Sequence, residues 1–172
     1  MKLLNVIVAV MLTSLVGLGQ EVKVTPGKYS VALSISAQKP YEILAGEKKV
    51  PVLSVQCSLQ GKKAGHLVIF TAGGALAEGD AESAPKNSAI TLHMMVGGKE
   101  QATEWIPYND PITYAYYGKT EPERAAFLQL LLSAPTASIK FTPFLTGATA
   151  TSVFDLSKLR DEVNSHPECV AK

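Results

Sequence analysis

Histidines and cysteines are the residues of this chain whose side chains suggest chemistry first. Histidine exchanges protons near neutral pH, and paired cysteines form disulfides in oxidising compartments. His66 opens one predicted strand and His93 lies within another. If these strands pair, the two histidines approach each other, and with Asp110 or Glu104 they would form a small metal or proton-transfer site. The competing interpretation is that each histidine is a partly buried packing residue.

The common catalytic motifs are absent from the sequence. It contains no G-x-S-x-G, no H-E-x-x-H, no phosphate-binding loop and no G-x-G-x-x-G. His166 and Cys169 have the spacing of half a metal site, but no second pair completes four zinc ligands. We therefore predict no catalytic residue, no metal and no cofactor. A small secreted metal-dependent or hydrolytic enzyme that uses His66 and His93 is the alternative hypothesis.

The N-terminus has the pattern of an export signal. Lys2 precedes an almost entirely apolar run at 3–12, and Gly17-Leu18-Gly19 supplies small residues for cleavage. We predict a signal peptide at 1–19 and one domain at 20–172. An uncleaved membrane anchor is the alternative for this run, and no later stretch is apolar enough to span a bilayer.

The charge of the chain is close to balanced. Lys and Arg number 16 and Asp and Glu number 15, so removal of Lys2 with the signal would leave no formal net charge. Nucleic-acid binding depends on clustered basic residues. A chain without net charge therefore argues against a nucleic-acid partner.

Residues 53–60, which read L-S-V-Q-C-S-L-Q, alternate apolar and polar side chains as a half-buried strand does. Cys57 lies on the apolar side of this strand. The second cysteine, Cys169, lies near the C-terminus. In an exported chain these two cysteines predict a disulfide that fastens the tail to the strand.

Most of the remaining chain shows short strands separated by turn residues. Residues 29–36 and 90–96 alternate like strands, and residues 102–106 follow a Gly-Gly turn. The strand of Cys57 and residues 66–71 are expected to form a hairpin through 61–65. Residues 78–88 are expected to be a loop. Two further strands are predicted around 139–141 and 148–154.

Five aromatic residues lie between Trp105 and Tyr117, around an Asn-Asp-Pro turn. Aromatic rings with a polar tip are common at binding surfaces as well as at the margins of a core. Packing is the expected role of most of them, with Tyr108 and Tyr117 as the exposed members. We propose a binding edge that consists of Trp105, Tyr108, Tyr114 and Tyr117.

Two helices are predicted in the last third of the chain. Thr120 and Glu123 have the spacing of a capping box, and Ala126, Phe127, Leu130 and Leu131 would form the buried face of a crossover helix. Asp155 is expected to cap a short final helix, in which Leu156, Leu159 and Val163 share one face.

Two segments resemble a known group of proteins. They are P-V-L-S-V-Q-C-S-L-Q at 51–60 and F-D-L-S-K-L-R-D-E-V-N-S-H-P-E-C at 154–169, with Trp105 between them. They resemble exported bacterial β-sandwich proteins, among them the TagO-like proteins associated with type VI secretion. Those proteins similarly place one cysteine on an early strand and another after a final helix headed by Phe-x-Leu. The resemblance covers about residues 50–60 and 137–169.

Together these observations predict a mainly β protein, an antiparallel β-sandwich with one crossover helix and a short C-terminal helix. The expected location is the periplasm or the exterior. The expected function is a non-catalytic binding or protein-interaction module of the bacterial cell envelope, either a secretion-system accessory or an enzyme inhibitor. Its expected partner is an envelope or secreted protein.

Overall fold

The computed structural model describes residues 20–44, 46–60, 63–76 and 89–170. The predicted signal peptide at 1–19 and the predicted loop at 78–88 lie outside the described residues. The strands are β1 Lys23–Pro26, β2 Ser30–Ser36, β3 Tyr41–Leu44, β4 Glu47–Lys49, β5 Val52–Gln60, β6 Lys63–Thr71, β7 Ile90–Val96, β8 Lys99–Tyr108, β9 Asp110–Tyr116, β10 Thr136–Phe141 and β11 Ala150–Asp155. The helices are α1 Glu121–Leu132, α2 Ser157–Ser165 and α3 Pro167–Val170.

The described residues form a mainly β, antiparallel structure, as the sequence predicts. Nine strands form one sheet in the order β1-β2-β5-β6-β9-β8-β7-β10-β11, and β3 and β4 form a separate pair. The predicted hairpin is confirmed as β5 and β6, which place Cys57 directly opposite His66. Its tip, at 61–62, lies outside the described residues.

Alternation of side chains explains the strands that the sequence predicts correctly. In β5 the side chains of Leu53, Val55 and Cys57 are fully buried. The opposite side of β5 carries serine and glutamine, which solvent reaches in part. β1 has no buried residue, and β4 has only three residues. These short edge strands carry too little apolar alternation to be predicted.

A continuous sheet, rather than two separate ones, surrounds the core, so the predicted sandwich is not confirmed. β6 and β11 are five strand positions apart, which is roughly 24 Å in a flat sheet. The rings of Phe70 on β6 and Phe154 on β11 nevertheless lie 6.4 Å apart. The Gln38 N–H, just after β2, donates to the carbonyl of Val153 on β11 at 2.8 Å. The sheet therefore curls back over its own apolar face without closing.

Helix α1 begins as predicted, and its predicted buried face is confirmed for Phe127 and Leu131 only. Thr120 and Glu123 form the capping box, and the helix connects β9 to β10 across two strands of the sheet. Its fully covered residues are Phe127, Leu128 and Leu131, whereas Ala126 and Leu130, which the sequence places inside, are exposed. The inward stripe continues through the half-buried polar residues Glu121 and Arg124. A prediction from the apolar residues alone therefore places the centre of the buried face incorrectly.

Two short helices end the described chain. Leu156, Leu159 and Val163 are buried, as predicted. Leu156, not Asp155, occupies the N-cap position of α2. The Asp155 carboxylate accepts hydrogen bonds from the Ser157 hydroxyl at 2.5 Å and from the Ser157 N–H at 3.0 Å. These bonds lower the pKa of Asp155. The following helix, α3, carries Cys169.

Candidate functional site

A disulfide joins the centre of the sheet to the end of the chain. Cys57 on β5 and Cys169 on α3 are bonded, with Cα atoms 5.0 Å apart, which confirms the predicted pairing. His66 is the cross-strand neighbour of Cys57. Its Nε2 atom lies 2.9 Å from the carbonyl oxygen of Cys169. The histidine and the disulfide therefore attach α3 to the same place on the sheet.

The Glu121 side chain accepts the backbone hydrogen bond of His66, a position where β6 has no strand partner in β9. The pairing of β6 with β9 covers only residues 69–71. Beyond it, the Glu121 Oε1 atom accepts hydrogen bonds from the His66 backbone N–H at 3.0 Å and from the His66 ring Nδ1 at 2.5 Å. The side chain of the first residue of α1 thus takes the place of a neighbouring strand at this backbone N–H.

Arg124 occupies the other oxygen of the same carboxylate. Its Nε and Nη2 atoms donate to Glu121 Oε2 at 3.1 Å and 2.9 Å, and its Nη1 donates to the Gly118 carbonyl at 2.8 Å. Burial alone would raise the pKa of Glu121. The hydrogen bonds from His66 and Arg124, together with the charge of His66, outweigh burial and lower that pKa.

Both ring nitrogens of His66 have a partner on another element. The Cys169 carbonyl can only accept, so Nε2 donates to it. Nδ1 faces Glu121 Oε1, and one proton lies between these two atoms. His66 therefore bridges β6, α1 and α3.

A shallow recess of about 260 Å³ opens beside these residues. We call it the polar recess. Its lining combines His66, Glu121 and Arg124 with polar side chains from the outer side of the β5–β6 hairpin and one aromatic ring. These residues are Gln56, Ser58, Gly65, His66, Leu67, Tyr108, Glu121 and Arg124. The recess therefore presents hydrogen-bonding groups on a frame that the sheet, α1 and the disulfide hold in place.

His66 also contributes to a second cavity, of about 370 Å³, between α1 and the C-terminal helices. Its walls are mainly aliphatic and include Leu128, Leu132, Val163 and Val170. The ring of His66 thus has the polar recess on one side and an apolar cleft on the other.

The proposed aromatic edge is only partly on the surface. Trp105 and Tyr114 are 0% and 1% exposed, which corrects their assignment as contact residues. Trp105 packs edge-on against Phe127 of α1. The Tyr114 hydroxyl accepts from the Leu76 N–H and donates to the Pro111 carbonyl. Their size and internal hydrogen bonds explain their burial.

Two members of the aromatic edge remain accessible. Tyr108 is half-buried and lines the polar recess, and Tyr117 is 43% exposed. Both had been expected to be the exposed members of the group.

The two histidines of the alternative hypothesis are far apart in the sheet. β9 and β8 lie between β6 and β7, so the strands of His66 and His93 do not pair. Each histidine contacts a different carboxylate, Glu121 for His66 and Glu100 for His93. Asp110, proposed as a further partner, instead accepts from the N–H of Ile112 in its own turn. The condition for the approach of the two histidines, pairing of their strands, is therefore not met.

His166 does not join either pair. It lies near Glu162 and Glu168, with nitrogen–oxygen distances of 3.6 Å and 3.9 Å. Among the residues that the structure describes, no group of three or more His, Cys, Asp and Glu side chains is arranged to hold a metal ion.

Sequence reasoning missed most of the polar recess. It singled out His66 and Tyr108 but not Glu121, Arg124, Gln56 or Ser58. The available signal was the charged pair Glu121 and Arg124, spaced i, i+3 at the start of a helix, although such pairs are common on solvated faces. Nothing in the sequence relates that pair to a histidine 55 residues away.

Comparison of the chain with protein-family models, curated proteins and solved structures found no match. The helices among the described residues include none long and apolar enough to cross a membrane.

Proposed function

We propose that this chain is an exported, non-catalytic binding module that contacts an envelope or secreted protein through the polar recess and Tyr108. The observation that carries the proposal is the recess itself. Its polar groups lie on a surface fixed by a disulfide, a sheet edge and a helix start. Such a preorganised surface suits binding, because little conformational entropy is lost when a partner docks.

Location outside the cytoplasm is part of the proposal. A disulfide that closes a separation of 112 residues is compatible with an oxidising compartment, where such bonds persist. The apolar N-terminal run supports export. The resemblance to TagO-like sandwich proteins favours a role as a secretion-system accessory, and an inhibitor of another protein's enzyme activity belongs to the same binding class.

The chemistry of His66 favours binding over catalysis. A general base needs a nitrogen lone pair within reach of a substrate. Both ring nitrogens of His66 are instead engaged with Glu121 and the Cys169 carbonyl. The ring therefore acts as a structural bridge in the wall of the recess.

Chemical cross-linking in intact cells that express the chain, followed by capture and mass identification, tests this proposal. Tyr108→Ala is the test variant, because it removes a ring that lines the recess. Met95→Ala is the matched control, because Met95 is an exposed large side chain on β7, away from the recess.

We expect one specific protein partner with the wild type and with Met95→Ala, and its loss with Tyr108→Ala. A partner retained by Tyr108→Ala would place the contact on another surface. An empty capture with the wild type would contradict the protein-binding function.

A further inference from the structure

The charges around the polar recess do not cancel. Glu121 is the one carboxylate in its lining, and both of its oxygens are occupied by His66 and Arg124. The proton between His66 Nδ1 and Glu121 Oε1 balances the charge of the carboxylate, and the Arg124 guanidinium adds one positive charge. The lining therefore carries a formal charge of plus one.

Arg124 retains donors that are not used within the described structure. A guanidinium has five N–H groups. Three of them donate to Glu121 and to the Gly118 carbonyl, so one proton on each terminal nitrogen has no partner among the described residues. The glutamate fixes the plane of the guanidinium, so these two donors have defined directions.

The other polar groups of the lining can add donors to the same space. The side chains of Gln56, Ser58 and Tyr108 form no hydrogen bond with another described residue, and each carries at least one N–H or O–H. A recess with one net positive charge, a directed guanidinium and several free donors complements a planar anion.

We propose that the polar recess binds a carboxylate of the protein partner, supplied by an acidic side chain or a C-terminus. This inference rests on the proposed function, because it names the group that the partner would present. The carboxylate would accept from Arg124, with the Tyr108 and Ser58 hydroxyls as further donors. Glu121 and His66 would act as positioning residues that orient Arg124 and set the charge of the site.

The test is an NMR titration of the purified, disulfide-bonded protein with N-acetyl-aspartate N-methylamide. The matched neutral probe is N-acetyl-asparagine N-methylamide, which has the same shape without the charge. Inorganic phosphate provides a second anion. The test variants Tyr108→Phe and Ser58→Ala each remove one donor and leave the backbone hydrogen bond from His66 to Glu121 intact. Thr91→Val is the control, because it removes an exposed hydroxyl on β7, outside the recess.

We expect the aspartate probe to shift the amide signals of residues 65–67 and of Glu121, Glu123 and Arg124, with a Kd on the order of 1 to 10 mM. The neutral probe should leave these signals in place. Tyr108→Phe and Ser58→Ala should each weaken binding by about threefold to tenfold, and Thr91→Val should not.

Three results would overturn the carboxylate site. They are equal binding of the charged and neutral probes, shifts confined to other parts of the chain, and no shift at a probe concentration well above the expected Kd. Tighter binding of phosphate than of the aspartate probe would overturn the choice of carboxylate in favour of a general anion site.

The two proposals fail in different ways. Capture of a partner, together with equal binding of the charged and neutral probes, would remove this inference and leave the binding function. Carboxylate binding with an empty capture would keep the site and remove the protein partner.

Discussion

Two histidine–glutamate pairs in this molecule have the same chemistry and very different settings. In the first, His66 and Glu121 have side chains 11% and 33% exposed and join elements 55 residues apart. In the second, His93 and Glu100 are 51% and 63% exposed and lie on the two strands of one hairpin. The first pair is also bonded to Arg124 and to the backbone of Cys169.

This comparison shows that surroundings, not residue types, distinguish a site from a surface contact. An exposed pair exchanges its hydrogen bonds with water and contributes little to stability. A partly buried pair with several shared partners fixes the geometry of its neighbours, and removal of one member leaves the others without compensation. The corner at Glu121, formed by His66, Glu121 and Arg124, is therefore held in a fixed arrangement, which the proposed binding surface requires.

The disulfide that supports this corner should give the largest effect. Replacement of both cysteines by alanine should lower the free energy of unfolding by roughly 4 to 5 kcal/mol, because the closed loop spans 112 residues. Thermal unfolding with and without reductant measures this change, and we expect a decrease in Tm of about 10 to 20 °C. An unchanged Tm would show that the bond does not constrain the folded chain.

Disruption of the buried pair should cost more than disruption of the exposed one. Glu121→Gln should destabilise the protein by about 2 kcal/mol, since the amide keeps only one accepting oxygen and turns an N–H₂ group towards either His66 or Arg124. Glu100→Gln is the matched control and should change stability by less than about 0.5 kcal/mol. Urea denaturation measures both values, and equal losses would remove the distinction between the two pairs.

The acid dependence of stability should also reflect the Glu121 carboxylate. The lowered pKa of Glu121 means that the unfolded chain binds this proton more readily. Its contribution is therefore present above the ordinary carboxyl pKa of 4.5 and is lost as pH falls through the lower folded pKa.

Tm measured between pH 3 and pH 6 tests this dependence. Glu121→Gln should show a flatter profile than the wild type at the acid end. A Glu121→Gln profile parallel to that of the wild type would contradict the role assigned to this carboxylate.

The buried Tyr114 and the exposed Tyr117 should differ in their contribution to stability by a smaller amount. Tyr114→Phe removes a hydroxyl that bonds Leu76 and Pro111, and should cost about 1 to 2 kcal/mol. Tyr117→Phe changes an exposed ring and should stay within about 0.5 kcal/mol of the wild type. Urea denaturation of the two variants decides this point, and an equal response would mean that the Tyr114 hydroxyl bonds contribute no net stability.

Local patterns were enough to predict most of the elements that form the core. Alternation of side chains indicates β5, the capping box indicates the start of α1, and the cysteines indicate the bond between β5 and α3. Each of these signals lies within a few residues or depends on a residue type with one common role. The order of strands has no such signal, because pairing between distant strands depends on how the sheet curls.

The candidate site was mostly beyond prediction for the same reason. His66, Glu121 and the Cys169 carbonyl become neighbours only when three elements meet. The proposed binding edge includes Trp105 and Tyr114 because they belong to an aromatic cluster, whereas their burial follows from contacts with α1 and with Leu76.

Site-specific photo-cross-linking compares the two regions directly and tests the central claim, that the corner at Glu121 forms the partner surface. A p-benzoylphenylalanine replaces Tyr108 in the recess in one sample and the exposed Met95 on β7 in the other, and both are irradiated in intact cells. We expect a partner adduct from position 108 and none from position 95. An adduct from position 95 with none from position 108 would contradict it.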